Sequence, residues 1–160
     1  MKKFSLESAS PIRTPISPNV KLIVDLLGKS VDSSLHRSII GSLLYLTASR
    51  SNISYSVEVC SRYQANPKDS HMIALKRIIK YVKATVDLGV WNRKYTNNVL
   101  VGYSNTDWAG NADDRKSTSG GCLYVGTNLV SWMSKKQNFI SLSTIEAEYI
   151  AVGNCCTLLL

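Results

Sequence analysis

The sequence predicts an α+β protein in which a helical segment precedes an antiparallel sheet and one further helix. Three observations carry this. Between Ser34 and Val82 apolar residues recur at three- and four-residue spacing, the period of an amphipathic helix. From Leu88 to Met133 the period drops to two, as strands require. Ser143-Thr144-Ile145-Glu146 then forms a capping box, the signature of a helix start. With 160 residues and 44% hydrophobic content the chain can build a packed core, as one ordinary domain or two small ones.

Residues 1–33 read as an extended, proline-containing linker. Pro11, Pro15 and Pro18 fall within eight residues, and each fixes φ and removes a backbone donor. Residues 34–87 read as helical. In the first helix Leu35, Ile39, Leu43 and Leu46 form an apolar stripe that Ile40 and Leu44 widen. A second helix is expected from an Asn52 cap to about Gln64, with Ile53, Val57 and Cys60 or Ser61 on one face. A third opens at Asn66-Pro67-Lys68-Asp69, with Asn as N-cap, Pro at the first helical position and an acid in the first turn. It turns Met72, Leu75, Ile78, Ile79 and Val82 inward, spreads His71, Lys76, Arg77, Lys80 and Lys83 over its other face, and ends before Gly89.

Residues 88–160 form the sheet region. Leu88 to Trp91 and Val99 to Tyr103 are expected as strands joined by the polar turn 92–98. Gly120 to Val125 and Leu129 to Met133 make a second hairpin across Gly126-Thr127-Asn128. The last helix is expected to be running still at Leu160, and an ending in Thr-Leu-Leu-Leu without a terminating glycine suggests truncation.

Net charge is +8 and unevenly placed: residues 1–98 hold 15 Lys/Arg against 6 Asp/Glu, residues 99–160 hold 4 against 5. The basic part can meet a polyanion such as nucleic acid, or serve as a solvated surface. No apolar run approaches the ~20 residues of a membrane span. Met1-Lys2-Lys3-Phe4 lacks the apolar stretch of a secretory signal behind it. The expectation is an intracellular chain, not secreted, with no membrane partner. Cys60, Cys122, Cys155 and Cys156 have no zinc-site spacing and read as reduced thiols.

Chemistry concentrates between Val101 and Tyr149. The strand Val101 to Trp108 ends in polar residues that include Asp107, and the later helix presents Glu146 and Glu148. Hard dications such as Mg²⁺ take oxygen ligands, and two of them can clamp the attacking and leaving oxygens of a phosphodiester. Three carboxylates in sixty residues are also what a solvated face looks like. Arg115-Lys116 and Lys135-Lys136-Gln137 suit phosphate contacts or an exposed hairpin edge equally, and Trp108 and Trp132 read as packing residues rather than stacking platforms.

Four blocks in order resemble the ribonuclease H domain of copia-type retrotransposon Pol: Gly102-Tyr103-Ser104-Asn105-Thr106-Asp107-Trp108-Ala109-Gly110, Arg115-Lys116-Ser117-Thr118-Ser119-Gly120, Ser131-Trp132-Met133-Ser134-Lys135-Lys136-Gln137, and Ser141 through Ala151. Upstream, His36-Arg37-Ser38-Ile39-Ile40-Gly41-Ser42-Leu43-Leu44-Tyr45-Leu46 and Asn66-Pro67-Lys68-Asp69-Ser70-His71 resemble the segment after that family's polymerase core, so the resemblance covers nearly the whole chain. It implies that 34–87 is a reverse transcriptase connection segment and that 88–160 is an incomplete ribonuclease H-like mixed sheet with its first helix. The implied activity is two-Mg²⁺ hydrolysis of RNA in an RNA–DNA hybrid, within a larger Pol polyprotein. The resemblance places the first catalytic acid at Asn105, where the family has Asp; Asp107 is a weak substitute as catalytic and metal-binding residue. The second acid falls on Glu148, in the family's Glu-x-x-Ala pattern, while Glu146 belongs to the capping box. The remaining family acids would lie beyond Leu160. An inactive chain is therefore expected, with no tightly bound Mg²⁺. The alternative is a non-catalytic nucleic-acid-binding module using Lys76, Lys80 and Lys83 on the third helix with Arg115, Lys135 and Lys136 on the sheet. His36, where the family has Tyr, and Ser49-Arg50-Ser51-Asn52-Ile53, where it tends to have Thr-Arg-Pro-Asp-Ile, depart from the pattern in the same direction as Asn105.

Overall fold

A computed structural model describes residues 10–17 and 21–159. The chain divides into two compact units, residues 1–89 and 90–160. The first is helical: α1 (Ser33–Thr47), a 3-10 turn (Ser51–Ile53), α2 (Ser54–Ser61) and α3 (Asp69–Ala84). The second holds β1 (Leu100–Asp107), β2 (Thr118–Val125), β3 (Asn128–Lys136) and α4 (Thr144–Cys156). The α+β class is therefore correct. Every strand pairing among the described residues is antiparallel, in the order β1-β2-β3, so the mixed pairing implied by the resemblance is not seen in them.

The helical unit closes over Ile39, Ile40, Leu43, Ile53, Val57, Cys60, Met72, Leu75, Ile78, Ile79 and Tyr81. Asp32 caps α1 by accepting from the amides of Ser34 and Leu35. The α1 stripe is rotated from the expected one: His36 is buried, while Leu35 and Leu44 are exposed. Asn52 does not cap α2, because its amide donates to the Tyr81 hydroxyl at 2.8 Å. Nor does Asn66 open α3. That helix begins at Asp69, where His71 Nδ1 accepts from the amide of Lys68 at 3.0 Å. His71 is thus buried rather than solvent-facing, with its Nε2 at 2.8 Å from the Ile23 carbonyl and its ring stacked 4.3 Å from that of Tyr63. These bonds tie the segment ahead of α1 to α3. Further ties run from the Val31 amide to the Pro67 carbonyl, from the Asp69 amide to the Lys29 carbonyl, and from the Ser70 hydroxyl to Asp25. The linker is irregular in residues 10–17 and 21–32, apart from a single bridge from Ser30 to Lys68. Residues 1–9 and 18–20, including Pro18, lie outside the described residues, as does Leu160.

The expected strand at Leu88–Trp91 is absent. Those side chains are exposed, and the chain after them bonds to the β2–β3 turn instead of forming a hairpin. The Arg93 amide donates to Asn128 Oδ1, the Thr127 amide to Thr96 Oγ1, and the Gly126 amide to the Val99 carbonyl. Gly126 has φ +59°, and a Cβ there would sit 2.0 Å from Thr96 Oγ1, so only glycine suits this turn. α4 closes at Cys156 rather than running on, with Thr157 as its C-cap.

Candidate functional site

β1 has two faces. Gly102, Ser104 and Thr106 lie under α4, and Tyr103, Asn105 and Asp107 lie on the opposite face. Two glycines let the helix sit close. A Cβ at Gly102 would be 3.2 Å from Cys155 Sγ, and one at Gly121 would be 3.6 Å from it. Cys155 therefore rests between β1 and β2, at the end of the buried line Ala147, Ala151, Cys155.

The helix start keeps the Ser143 half of the capping box, while Glu146 reaches one residue further back than the N-cap amide. Ser143 Oγ accepts from the Glu146 amide at 3.1 Å, and Glu146 Oε2 accepts from the Leu142 amide at 2.7 Å. Glu146 is committed to this task. Glu148 is half-buried, beside Ala147 and one turn before Ala151. At ~100° per residue it flanks the buried line on one side, and Asn154 flanks it on the other. Asn154 donates to Ser119 on β2, so the Glu148 flank is turned toward β1, the edge strand.

The two acid positions on β1 are arranged differently. Asn105 is exposed, and its Oδ1 accepts from the Thr106 amide at 2.8 Å. Asp107 accepts from the Thr118 amide and lies against Gly110, where a Cβ would collide with its carboxylate. Its carboxylate closes the loop between β1 and β2. The same loop contains Ala109 at φ 51° and Arg115 at φ 57°, and Ser117 Oγ accepts from the Ala109 amide. Among the described residues, no three His, Cys, Asp or Glu side chains gather as metal ligands. The donors fit a pair of Mg²⁺ ions poorly: a neutral amide at Asn105, a carboxylate already engaged at Asp107, and the single carboxylate of Glu148 on the helix side of the sheet.

The basic residues are dispersed. Arg115 and Lys135 are exposed, whereas Lys136 pairs with Asp114 at 2.6 Å. Desolvation works to raise the Asp114 pKa, but the Lys136 and Lys116 contacts outweigh it and hold the carboxyl below its ordinary value. On α3, Lys76 is exposed, while Lys80 and Lys83 are half-buried. Trp108 is 47% exposed, with Nε1 donating to the Ser141 carbonyl, and Trp132 is half-buried.

Gln137 is the residue the sequence reading missed. Grouped there with the lysines before it, it is in fact 3% exposed. Its Nε2 donates to Ser119 Oγ at 3.0 Å and to the Ala147 carbonyl at 2.9 Å, and its Oε1 accepts from Ser141 Oγ at 3.1 Å. One side chain thus joins β2, the end of β3 and the first turns of α4. Nothing in composition or periodicity marks it, because it follows the last strand residue and its neighbours are charged.

The chain resembles known proteins along most of its length. It is 39% identical over 154 residues to the retrovirus-related Pol polyprotein from transposon RE2 of Arabidopsis thaliana, which covers 96% of this chain and 11% of that protein. It is 33% identical over 159 residues to the Pol polyprotein from transposon TNT 1-94 of Nicotiana tabacum, covering 94% of this chain and 12% of that one. A secreted RxLR effector protein, number 161, of Plasmopara viticola is 38% identical over 117 residues, 72% of this chain and 82% of the effector. The chain thus spans about a tenth of the length of the Pol relatives it matches. No protein-family model and no solved structure matches it.

Proposed function

Because the chain belongs to the family of copia-type retrotransposon Pol polyproteins, we propose that its second unit is the opening part of a ribonuclease H-like domain that no longer cuts. The observation that carries this reading is Asn105 itself, a neutral amide exposed on β1 on the sheet face away from α4 and Glu148, at the position where the resemblance expects the first acid. A strand position and a helix acid are where the resemblance places the first two acids. Only one of the two is a carboxylate. An amide oxygen carries no net charge, so it holds a hard dication far less well and leaves an attacking water less acidic. Asp107 supplies no substitute, since its carboxylate holds the β1–β2 loop.

The test is cleavage of an RNA–DNA hybrid with Mg²⁺, comparing the chain with its Asn105→Asp variant. The unmodified chain should leave the hybrid intact, and cutting by it would refute inactivity. Cleavage gained only in Asn105→Asp would support the assignment of position 105. If the variant binds Mg²⁺ no better than the original in calorimetry, position 105 is not the ancestral ligand.

A second reading is favoured by α3, where Lys76 projects into solvent beside Arg77 and the half-buried Lys80 and Lys83. This row could contact a nucleic-acid backbone without reading sequence. Binding to the same hybrid should then weaken steeply between low and moderate salt. Absence of binding at low salt would remove this reading.

A further inference from the structure

The segment ahead of the helices carries chemistry that neither reading above uses. Its sequence sets a hydroxyl residue directly before each of three prolines: Ser10-Pro11, Thr14-Pro15 and Ser17-Pro18. A proline clashes with a helical residue before it, so that residue is held extended. Residues 10–17 accordingly lie outside any helix or strand, and Thr14 is exposed. Thr14 differs from the other two hydroxyl residues in what faces it. Arg77 on α3 donates from Nη2 to Thr14 Oγ1 at 2.7 Å and from Nε to the Thr14 carbonyl at 3.1 Å. Lys80, one turn along the same helix, borders the groove that Arg77 shares with Ile12, Ile16 and Ser17. No carboxylate borders that groove among the described residues. Asp25 approaches it through Ser70, and its oxygens already accept from the Ser70 hydroxyl and the Gly28 amide. A neutral hydroxyl thus stands against an arginine fork with a second cation beside it, an arrangement suited to a bound anion.

We propose that Thr14 is a phosphorylation site for a proline-directed protein kinase, and that Arg77 with Lys80 forms the seat for its phosphate. In the transfer Thr14 Oγ1 attacks the γ-phosphorus of ATP. The new oxygen–phosphorus bond forms as the bond to the bridging oxygen of the β-phosphate breaks, the hydroxyl proton passes to the kinase's own base, and ADP leaves. Thr14 Oγ1 is an acceptor toward Arg77, so its proton is not committed to that contact. Arg77 fastens residues 10–17 to α3 through these two bonds, and a segment held so sparsely opens locally at little cost, which lets it enter a kinase cleft. Once modified, Thr14 carries a charge of about −1.5 to −2 and three strong acceptor oxygens. Arg77 then turns its planar fork to two of these oxygens in place of one hydroxyl, and Lys80 adds a second cation. The segment changes from one held by ordinary hydrogen bonds to one locked on α3 by charge. Ser10 and Ser17 share the following proline but not the Arg77 contact.

The experiment treats the full chain with a purified mitogen-activated protein kinase and MgATP, locates the phosphate by tandem mass spectrometry, and follows it by ³¹P NMR against pH. The expected product carries phosphate on Thr14. Its resonance should titrate below the ordinary value of about 6, because Arg13 beside it and Arg77 and Lys80 on α3 favour the dianion. Hydrogen exchange at the amides of residues 12–17 should slow by about tenfold or more, the effect of one hydrogen bond to a charged group. Arg77→Gln should bring the titration back toward the ordinary value and abolish the slowing, and Arg77→Lys should keep only part of both. A folded chain left unmodified at Thr14 would overturn the proposal. So would a phosphate that titrates at its ordinary value, unchanged exchange in residues 12–17, or a titration that Arg77→Gln leaves where it was. The measurements on the unsubstituted chain need no variant, so a misfolded substitution would not shield the idea.

Discussion

Replacing Gln137 by alanine should loosen the second unit while leaving the helical unit untouched. The side chain makes three close bonds inside the protein, to Ser119, Ser141 and the Ala147 carbonyl. Ser119 keeps a partner after the change, because Asn154 also donates to it at 3.2 Å. The Ala147 carbonyl and the Ser141 hydroxyl lose the bonds described here in surroundings that are nearly closed to water. The carbonyl keeps its bond within α4, so only the Ser141 hydroxyl is stranded, and a buried group stranded in this way costs about 1–3 kcal/mol, here about 2 kcal/mol. A unit of some 70 residues has a total stability of about 4–10 kcal/mol, which makes this a large share. The chain offers a clean readout. Its three tryptophans, Trp91, Trp108 and Trp132, all belong to the second unit. Urea unfolding followed by tryptophan fluorescence therefore reports that unit alone, and with a slope of about 1 kcal/mol/M the midpoint should fall by about 2 M. Far-UV circular dichroism should show the helical unit melting where it did before. A midpoint shift under about 0.5 M would mean that Gln137 does not fasten α4 to the sheet, and the reasoning would be wrong.

Other outcomes can be checked on the same protein. His36 is fully buried with neither ring nitrogen bonded, and desolvation, helped by His71 nearby, holds its pKa below the ordinary value. The unfolded chain therefore takes up a proton near pH ~6.5 before the folded one does. Stability of the helical unit should fall as pH drops below that point, by up to ~1.4 kcal/mol per pH unit, and His36→Phe should flatten the slope. An unchanged slope in that variant would rule His36 out. Arg50 donates to the Thr85 and Val86 carbonyls and to Thr85 Oγ1, holding the chain that leaves α3. Arg50→Ala should cost about 1–3 kcal/mol by circular dichroism, and Arg50→Lys should recover little because one ammonium cannot span the same acceptors. Burial pushes the Cys60 thiol up to about 12, while Cys156 is exposed. Iodoacetamide at mildly alkaline pH should label Cys156 and spare Cys60 until the helical unit unfolds, as mass spectrometry would show.

Much of the fold was legible because it rests on periodicity. The α3 line Met72, Leu75, Ile78 and Ile79 is buried as its spacing demands, and the turn at Gly126 and the N-cap at Ser143 stand where their residue types require. The failures share another cause. Asn52, Asn66 and His71 were read by local preference, yet each local role was overridden by a partner distant in sequence or by the neighbouring backbone. Asn52 bonds Tyr81, and the α3 start is fixed by His71 together with the backbone of Lys29. The strand expected at Leu88–Trp91 failed for the same reason. Alternation shows that a segment could be half-buried, but not that any neighbour is there to pair with it.

Position 107 shows most clearly how a site can be misjudged from sequence. An Asp two residues from the position where the resemblance expects a catalytic Asp, on the same face of the strand, looks like a reserve ligand. Here the strand ends at that residue, and the chain must reverse to begin β2 at Thr118, which pairs with Asp107 in the register. The Asp107 carboxylate accepts from the Thr118 amide and packs against Gly110, inside a loop already holding two non-glycine residues at positive φ. Recruiting it to a cation would release that loop. Asp107→Asn should therefore destabilise the second unit by about 1–2 kcal/mol through a weaker acceptor, and should do so equally with and without Mg²⁺ in tryptophan-monitored unfolding. A Mg²⁺-dependent gain of stability in the original chain that vanished in the variant would instead make Asp107 a ligand, and the account of an idle first acid at Asn105 would have to be rebuilt around it.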